Sequence, residues 1–115
     1  MTTISKDICR GDILIHRDGD ESFCVRWTED RQDGKGYVPK DLSGWSADFE
    51  LYVDGEKAFS APCACDPYGY VIATIGADTL SGPAWRSREN GSWRIRGHGP
   101  DGETEILANG YYRIV

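Results

Sequence analysis

The 115-residue sequence is short of nearly everything that chemistry requires. It has two histidines, His16 and His98, and neither belongs to a recognisable catalytic constellation. There is no Gly-x-Ser-x-Gly elbow, no phosphate-cradling glycine loop and no His-Glu-x-x-His pair. No apolar run approaches the roughly 20 residues that a bilayer-spanning helix needs, which argues against a membrane protein. Met1-Thr2-Thr3-Ile4-Ser5-Lys6 has no signal-peptide core, so synthesis in a cytoplasm without an export signal is expected. Positive charge is also scarce: 13 Lys and Arg face 19 Asp and Glu, a net charge of −6. That balance argues against nucleic acid as a partner, since phosphate backbones are met by basic faces. Four cysteines, Cys9, Cys24, Cys63 and Cys65, are too few and too unevenly spaced for a scaffold of staples. A chain able to build its own core does not need one, and free thiols are expected.

What the sequence does contain is organisation. Residues 1–115 read as one domain of short strands separated by turns, with 14 glycines and no window of helical periodicity. This points to an all-β sandwich or barrel. In residues 45–53, Trp45, Ala47, Phe49, Leu51 and Val53 alternate with polar or amphipathic neighbours, the pattern of a strand with one face in a core.

Turn chemistry extends the reading to register. Asp66-Pro67-Tyr68-Gly69 suits a type I turn, and a three-residue bulged loop sets Cys65 opposite Val71, Cys63 opposite Ala73 and Ala61 opposite Ile75. A three-residue loop at 54–56 likewise sets Leu51 opposite Phe59 and Phe49 opposite Ala61. Residues 44–76 thus become a three-stranded meander with odd-numbered side chains inward. Pro62, lacking a donor, marks a free edge. Near the C-terminal end, a four-residue loop at 99–102 pairs Ile95 with Ile106, Arg96 with Glu105 and His98 with Glu103. Residues 12–16 and 23–27 are expected to form a hairpin that places Cys24 near Leu14. Residues 29–42 and 76–91 are expected to be irregular, with one helical turn at 78–82 capped by Asp78.

Each tempting motif has a plainer explanation. Cys63 and Cys65 share a strand face, but no second Cys-x-x-Cys or His knuckle accompanies them, and small buried hydrophobes are the expectation. A Cys9–Cys24 bridge is doubtful on the hairpin geometry. Arg10-Gly11-Asp12 matches an adhesive tripeptide yet runs directly into Ile13-Leu14-Ile15, so coincidence is expected. Arg86, Arg88, Arg94 and Arg96, with Trp85 and Trp93 among them, concentrate positive charge that could dock an acidic partner, though pairing with Glu103 and Glu105 across strands is the expectation. Tyr37, Tyr52, Tyr68 and Tyr70 suit either a protein interface or a sugar platform. The candidate interface residues are therefore Tyr52, Tyr68, Tyr70, Trp85, Arg86 and Arg88. No catalytic, cofactor-binding or metal-binding residue is assigned.

Several of these pieces occur in a familiar order. Arg10-Gly11-Asp12 opens a hydrophobic strand, and a second strand ends at Trp27. Asp41-Leu42-Ser43-Gly44-Trp45 opens the long alternating strand. Thr79-Leu80-Ser81-Gly82, the Trp93 to Ile95 strand and Leu107-Ala108-Asn109-Gly110 follow. The sequence resembles small β-sandwich modules of tailed-phage virions: the LtfC-like family, and more loosely the immunoglobulin-like domain that begins baseplate upper proteins. The resemblance implies an antiparallel immunoglobulin-like sandwich of about seven to eight strands with little or no helix. It also implies a non-catalytic virion or prophage protein of a tail, baseplate or fibre. Its partners would be other virion proteins or further copies of itself, and it would need no cofactor. The alternative is a carbohydrate- or host-surface-binding module acting through exposed aromatics.

Overall fold

The structure, a computed structural model, describes residues 9–30, 34, 36–80 and 82–115. These residues form ten strands: β1 (Cys9–Arg10), β2 (Ile13–Ile15), β3 (Glu21–Arg26), β4 (Thr28–Asp30), β5 (Tyr37–Pro39), β6 (Ser46–Val53), β7 (Glu56–Cys65), β8 (Tyr70–Ile75), β9 (Asn90–His98) and β10 (Thr104–Ile114). Eight of them form one sheet in the order β1-β10-β9-β6-β7-β8-β3, with β2 also on β10, while β4 and β5 pair separately. Pairing is antiparallel except where β1 and β2 run parallel to β10. Among the described residues the only helical element is a 3-10 turn, Pro83–Trp85.

The alternation read from β6 sets the core. Ala47, Phe49 and Leu51 are buried, and so are Val71, Ala73 and Ile75 on β8, with Cys63 and Cys65 packed against them. Phe49 sits between the two halves of the sheet: its ring stacks on Phe23 of β3 and lies tilted against Trp93 of β9, with centroids 6.0 Å away in both cases. Ile15, Leu42, Leu80, Trp85, Ile95, Ala108, Tyr112 and Ile114 also belong to the interior.

The β6–β7 register is the expected one, but a different device produces it. Val53 pairs with Glu56, so the loop is the two residues Asp54 and Gly55, both with positive φ, as a type I′ turn requires. An extra residue in β7, Ala58, then shifts the ladder by one and returns Leu51 to Phe59 and Phe49 to Ala61. The Asp66 turn forms as read, with the Asp66 carboxylate accepting the N–H groups of Tyr68 and Tyr70, and Cys65 opposes Val71. Beyond Ala64 the two strands part. Cys63 pairs with Ala47 of β6, and Ala73 and Ile75 pair with Phe23 and Glu21 of β3, in place of the expected Cys63–Ala73 and Ala61–Ile75 pairs. β7 thus turns the sheet from one half to the other. Before Ala64 its outer edge has no neighbour among the described residues, and Pro62 lies there.

Four further expectations are corrected. β2 and β3 do not form a hairpin, because β2 pairs with β10 and β3 with β8, and Cys24 opposes Ile72 rather than lying near Leu14. The segment between them arches from one half of the sheet to the other, and Arg17 anchors it by donating to the carbonyls of Leu80, Trp85 and Arg88. The helical turn falls at 83–85, after Gly82, rather than at 78–82. At the β9–β10 turn, Gly99 donates to Glu103 across a three-residue loop closed by Gly102 at φ 87°. Arg96 therefore faces Ile106, and His98 faces Thr104. A bulge at Leu107 restores Ala108 to the core opposite Ile95. The region expected to be irregular also holds β4 and β5.

Candidate interaction surfaces

Away from the apolar core, charged and polar side chains of the described residues gather on the outer face and at the ends of the sheet. On the outer face of β6 and β9, acids meet bases in rows. Asp48 contacts His98 at 3.3 Å, and Glu50 accepts from Arg96 and Lys57 at 3.4 Å and from the Tyr52 hydroxyl at 2.9 Å. Arg96 and His98 therefore pair with β6 rather than with Glu103 and Glu105. Glu50 is a buried carboxylate, 4% exposed. Burial pushes its pKa up, but the Tyr52 hydroxyl, Arg96 and Lys57 outweigh that and hold it below the ordinary value. A carboxylate satisfied in this way is fixed rather than reactive.

The six residues read as an interface do not lie together. Tyr68, 65% exposed, and Tyr70, beneath the Arg26 guanidinium at 4.7 Å, lie at the Asp66 turn. Tyr52, beneath Arg94 at 4.7 Å, lies at the far end of β6, about 20 Å along the strand at roughly 3.3 Å per residue. Arg86 is exposed, and Arg88 lies over the Trp85 ring at 5.3 Å. Trp85 itself is buried in the core and presents no ring to a partner. Its indole fills the interior beneath the arch that Arg17 anchors, a long-range arrangement with no local sequence signal.

The Asp66 end gathers more aromatic surface than the sequence suggested. Trp27 and Trp45 meet edge to face at 5.2 Å, and Lys40 lies over both rings while pairing with Glu29 at 2.8 Å. Tyr37 is exposed at the other end of the β4–β5 ribbon, opposite Asp30. The Asp-Leu-Ser-Gly-Trp segment builds this end. The Asp41 carboxylate accepts from Ser43 N–H, Gly44 takes a φ of 80°, Leu42 is buried and Trp45 N–H donates to Leu42 O.

Among solved structures, the chain is similar to the N-terminal domain of phage TP901-1 ORF48. The TM-score is 0.58 at 11% sequence identity, with 90% of this chain and 84% of that chain covered. At that identity the likeness is one of fold. No family model matches the chain, and no curated protein matches it in sequence.

Cys63 and Cys65 pack against the apolar core. Burial pushes the Cys63 thiol up to about 12, helped by the neighbouring Cys65 and Asp48, and burial with Asp66 raises Cys65. Such thiols are protonated and inert at neutral pH. Among the described residues no three His, Cys, Asp or Glu side chains converge on a metal-sized site. Cys24 is a free thiol, in keeping with the doubt about a Cys9–Cys24 bridge; the side chain of Cys9 lies outside the described residues. No helix among those residues is long and apolar enough to cross a membrane.

Arg10-Gly11-Asp12 does not protrude. It is the break between β1 and β2: Gly11 N–H donates to Asn109 O, Gly11 O accepts the Trp93 indole N–H at 2.8 Å, and the Asp12 carboxylate accepts Tyr111 N–H. The break borders a half-open pocket of about 420 Å³ that also involves Ser92, Arg94, Asn109 and Tyr111. Sequence reasoning missed this pocket, because it depends on the first described strand pairing with the last.

Proposed function

We propose that the chain is a structural module of a tailed-phage or prophage virion, an immunoglobulin-like sandwich that works through contacts with other virion proteins and performs no catalysis. One observation carries this reading. The fold likeness to the N-terminal domain of a phage protein spans most of both chains, and the Asp-Leu-Ser-Gly-Trp and Leu-x-x-Gly pieces resemble virion sandwich modules independently. The physical character of the chain agrees: the core is apolar, Asp48 and Glu50 on the outer face are paired with His98, Arg96 and Lys57, and exposed surface is what the fold supplies. The aromatic end around Tyr68 and Tyr70 is the proposed contact surface, since tyrosine offers large, half-polar area at little conformational cost. Tyr52, Arg86 and Arg88 form a second, separate patch.

The test is to induce and purify particles from the source of this sequence and quantify the chain in them by mass spectrometry. A fixed copy number per particle is expected, lowered when Tyr68 is replaced by glutamate in a variant that folds normally. Particles of full composition lacking the chain would overturn the reading.

A further inference from the structure

The pocket beside the β1–β2 break is built from two cross-strand rows. Register places Arg10, Asn109 and Arg94 side by side across β1, β10 and β9. In the next row Tyr111 pairs with Ser92, and Asp12 holds the N–H of Tyr111. Strands lie about 4.8 Å apart, which puts the Arg10 and Arg94 backbones roughly 10 Å apart with the Asn109 amide between them. The backbone of the break is pinned at Gly11, where a donor and an acceptor are both engaged.

The two arginines here have no carboxylate partner among the described residues, unlike the bases of the neighbouring ladder. Arg96, Lys57, Lys40 and His98 each have a carboxylate. Among the described residues Arg10 makes no ion pair, and Arg94 makes only its contact with the Tyr52 ring. In a chain of net charge −6, two such guanidiniums beside a pocket are a place for an outside oxyanion. A guanidinium fork matches the planar oxygens of carboxylate or phosphate. The rest of the lining suits hydroxyl groups: the Ser92 hydroxyl and Asn109 amide give and accept hydrogen bonds, and Asp12 accepts them. Tyr111, 72% exposed, offers a ring face for apolar C–H surface. An acidic peptide would gain from the arginines and be opposed by Asp12, whereas a hydroxylated ring makes use of both. The volume is within the range of small-molecule sites, roughly 300–1,000 Å³.

We propose that this pocket binds an acidic sugar unit, its carboxylate or phosphate held between Arg10 and Arg94 and its hydroxyls on Ser92, Asn109 and Asp12. The inference does not rest on the virion reading and stands or falls separately from it.

The test is a titration of the isotope-labelled chain with glucuronate, glucose 6-phosphate, glucose and inorganic phosphate, each to about 20 mM, enough to detect millimolar binding. The reporters are the Trp93 indole N–H and the amides of Gly11, Gly110 and Tyr111. Saturable shifts at these positions are expected with glucuronate, glucose 6-phosphate or both, identifying a carboxylate or a phosphate as the anion. Glucose should give none. The R10A/R94A double variant, whose changes are not in the core, should keep its other resonances and bind at least tenfold more weakly. Higher salt should weaken binding to the native chain. Silence with both acidic sugars, equal shifts with glucose, or binding of inorganic phosphate as tight as that of the sugar phosphate would each overturn the proposal.

Discussion

Replacing Gly110 with alanine would drive a methyl group onto the carbonyl of Gly11, and to 2.8 Å from the Trp93 indole nitrogen. The obstacle is mainly backbone, so the β1–β2 break would have to move away from β10. Two hydrogen bonds would then stretch or break, Trp93 Nε1 to Gly11 O at 2.8 Å and Gly11 N to Asn109 O at 3.1 Å. Each contributes about 1 kcal/mol net. Overpacking strain adds roughly 1–3 kcal/mol, and the stiffer unfolded chain returns about 0.5–1 kcal/mol. The expected net loss is about 3 kcal/mol. For 115 residues, at about 2.1 cal/mol/K each, the unfolding entropy near the midpoint is about 0.24 kcal/mol/K, so Tm should fall by about 12 °C. The same substitution elsewhere supplies the scale. At Gly11 nothing lies within 4 Å of the new methyl, and stability should change by less than about 0.5 kcal/mol. At Gly97 the methyl meets the tip of Leu107 at 2.9 Å, a side chain that can rotate, so about 1 kcal/mol is expected. Thermal and urea unfolding of the three variants decide the matter. If G110A melts within a few degrees of G11A, the pinned break is not a structural constraint and the reasoning fails.

Three further outcomes are expected. E50Q should lower stability by about 1–2 kcal/mol at neutral pH, since a buried charged acceptor is lost. Because the folded pKa of Glu50 lies below the ordinary 4.5, its contribution is present above that value and disappears as pH falls through the depressed one. The difference between native chain and variant, followed by urea unfolding at several pH values, should therefore shrink in acid, and a gap that widens there would contradict the assignment. R17M strands the carbonyls of Leu80, Trp85 and Arg88. It should cost about 2–3 kcal/mol and speed hydrogen exchange in residues 80–90 before that of β6. With a pKa of about 12, Cys63 holds on the order of one thiolate in 10⁵ at neutral pH. A disulfide reagent followed by peptide mapping should therefore modify the exposed Cys24 while Cys63 stays protected until unfolding.

The middle of the chain was legible because its signals are local. Alternation from Trp45 onward fixed which face is buried, and the Asp66 turn fixed the partner of Cys65. Even there the Asp54-Gly55 loop was misjudged in length, and the register survived because the bulge at Ala58 compensates for a two-residue turn. Elsewhere alternation was insufficient. Ile15 and Val25 both point inward whether their strands form a hairpin or face each other from opposite halves of the sheet, so the pattern could not choose between them. The Gly99-Pro100-Asp101-Gly102 turn differed from expectation by one residue, which moved Arg96 and His98 from Glu105 and Glu103 to Glu50 and Asp48. Of the surface residues, Tyr68 was legible as exposed, whereas Trp85 is buried in a segment whose carbonyls are held by Arg17, far away in sequence. The pocket was the least legible feature, since Arg10 meets Asn109 only through parallel pairing of strands about a hundred residues apart.

That parallel pairing has a mechanical consequence. β1 and β2 enter beside β10 and run in its direction, so opposing pulls on the two ends of the chain would slide these strands lengthwise past one another. Their ladder bonds would carry such a load together and could not be unzipped one at a time. The domain should be hardest to pull apart along the line joining its own ends, and far softer when tugged across the β3 edge.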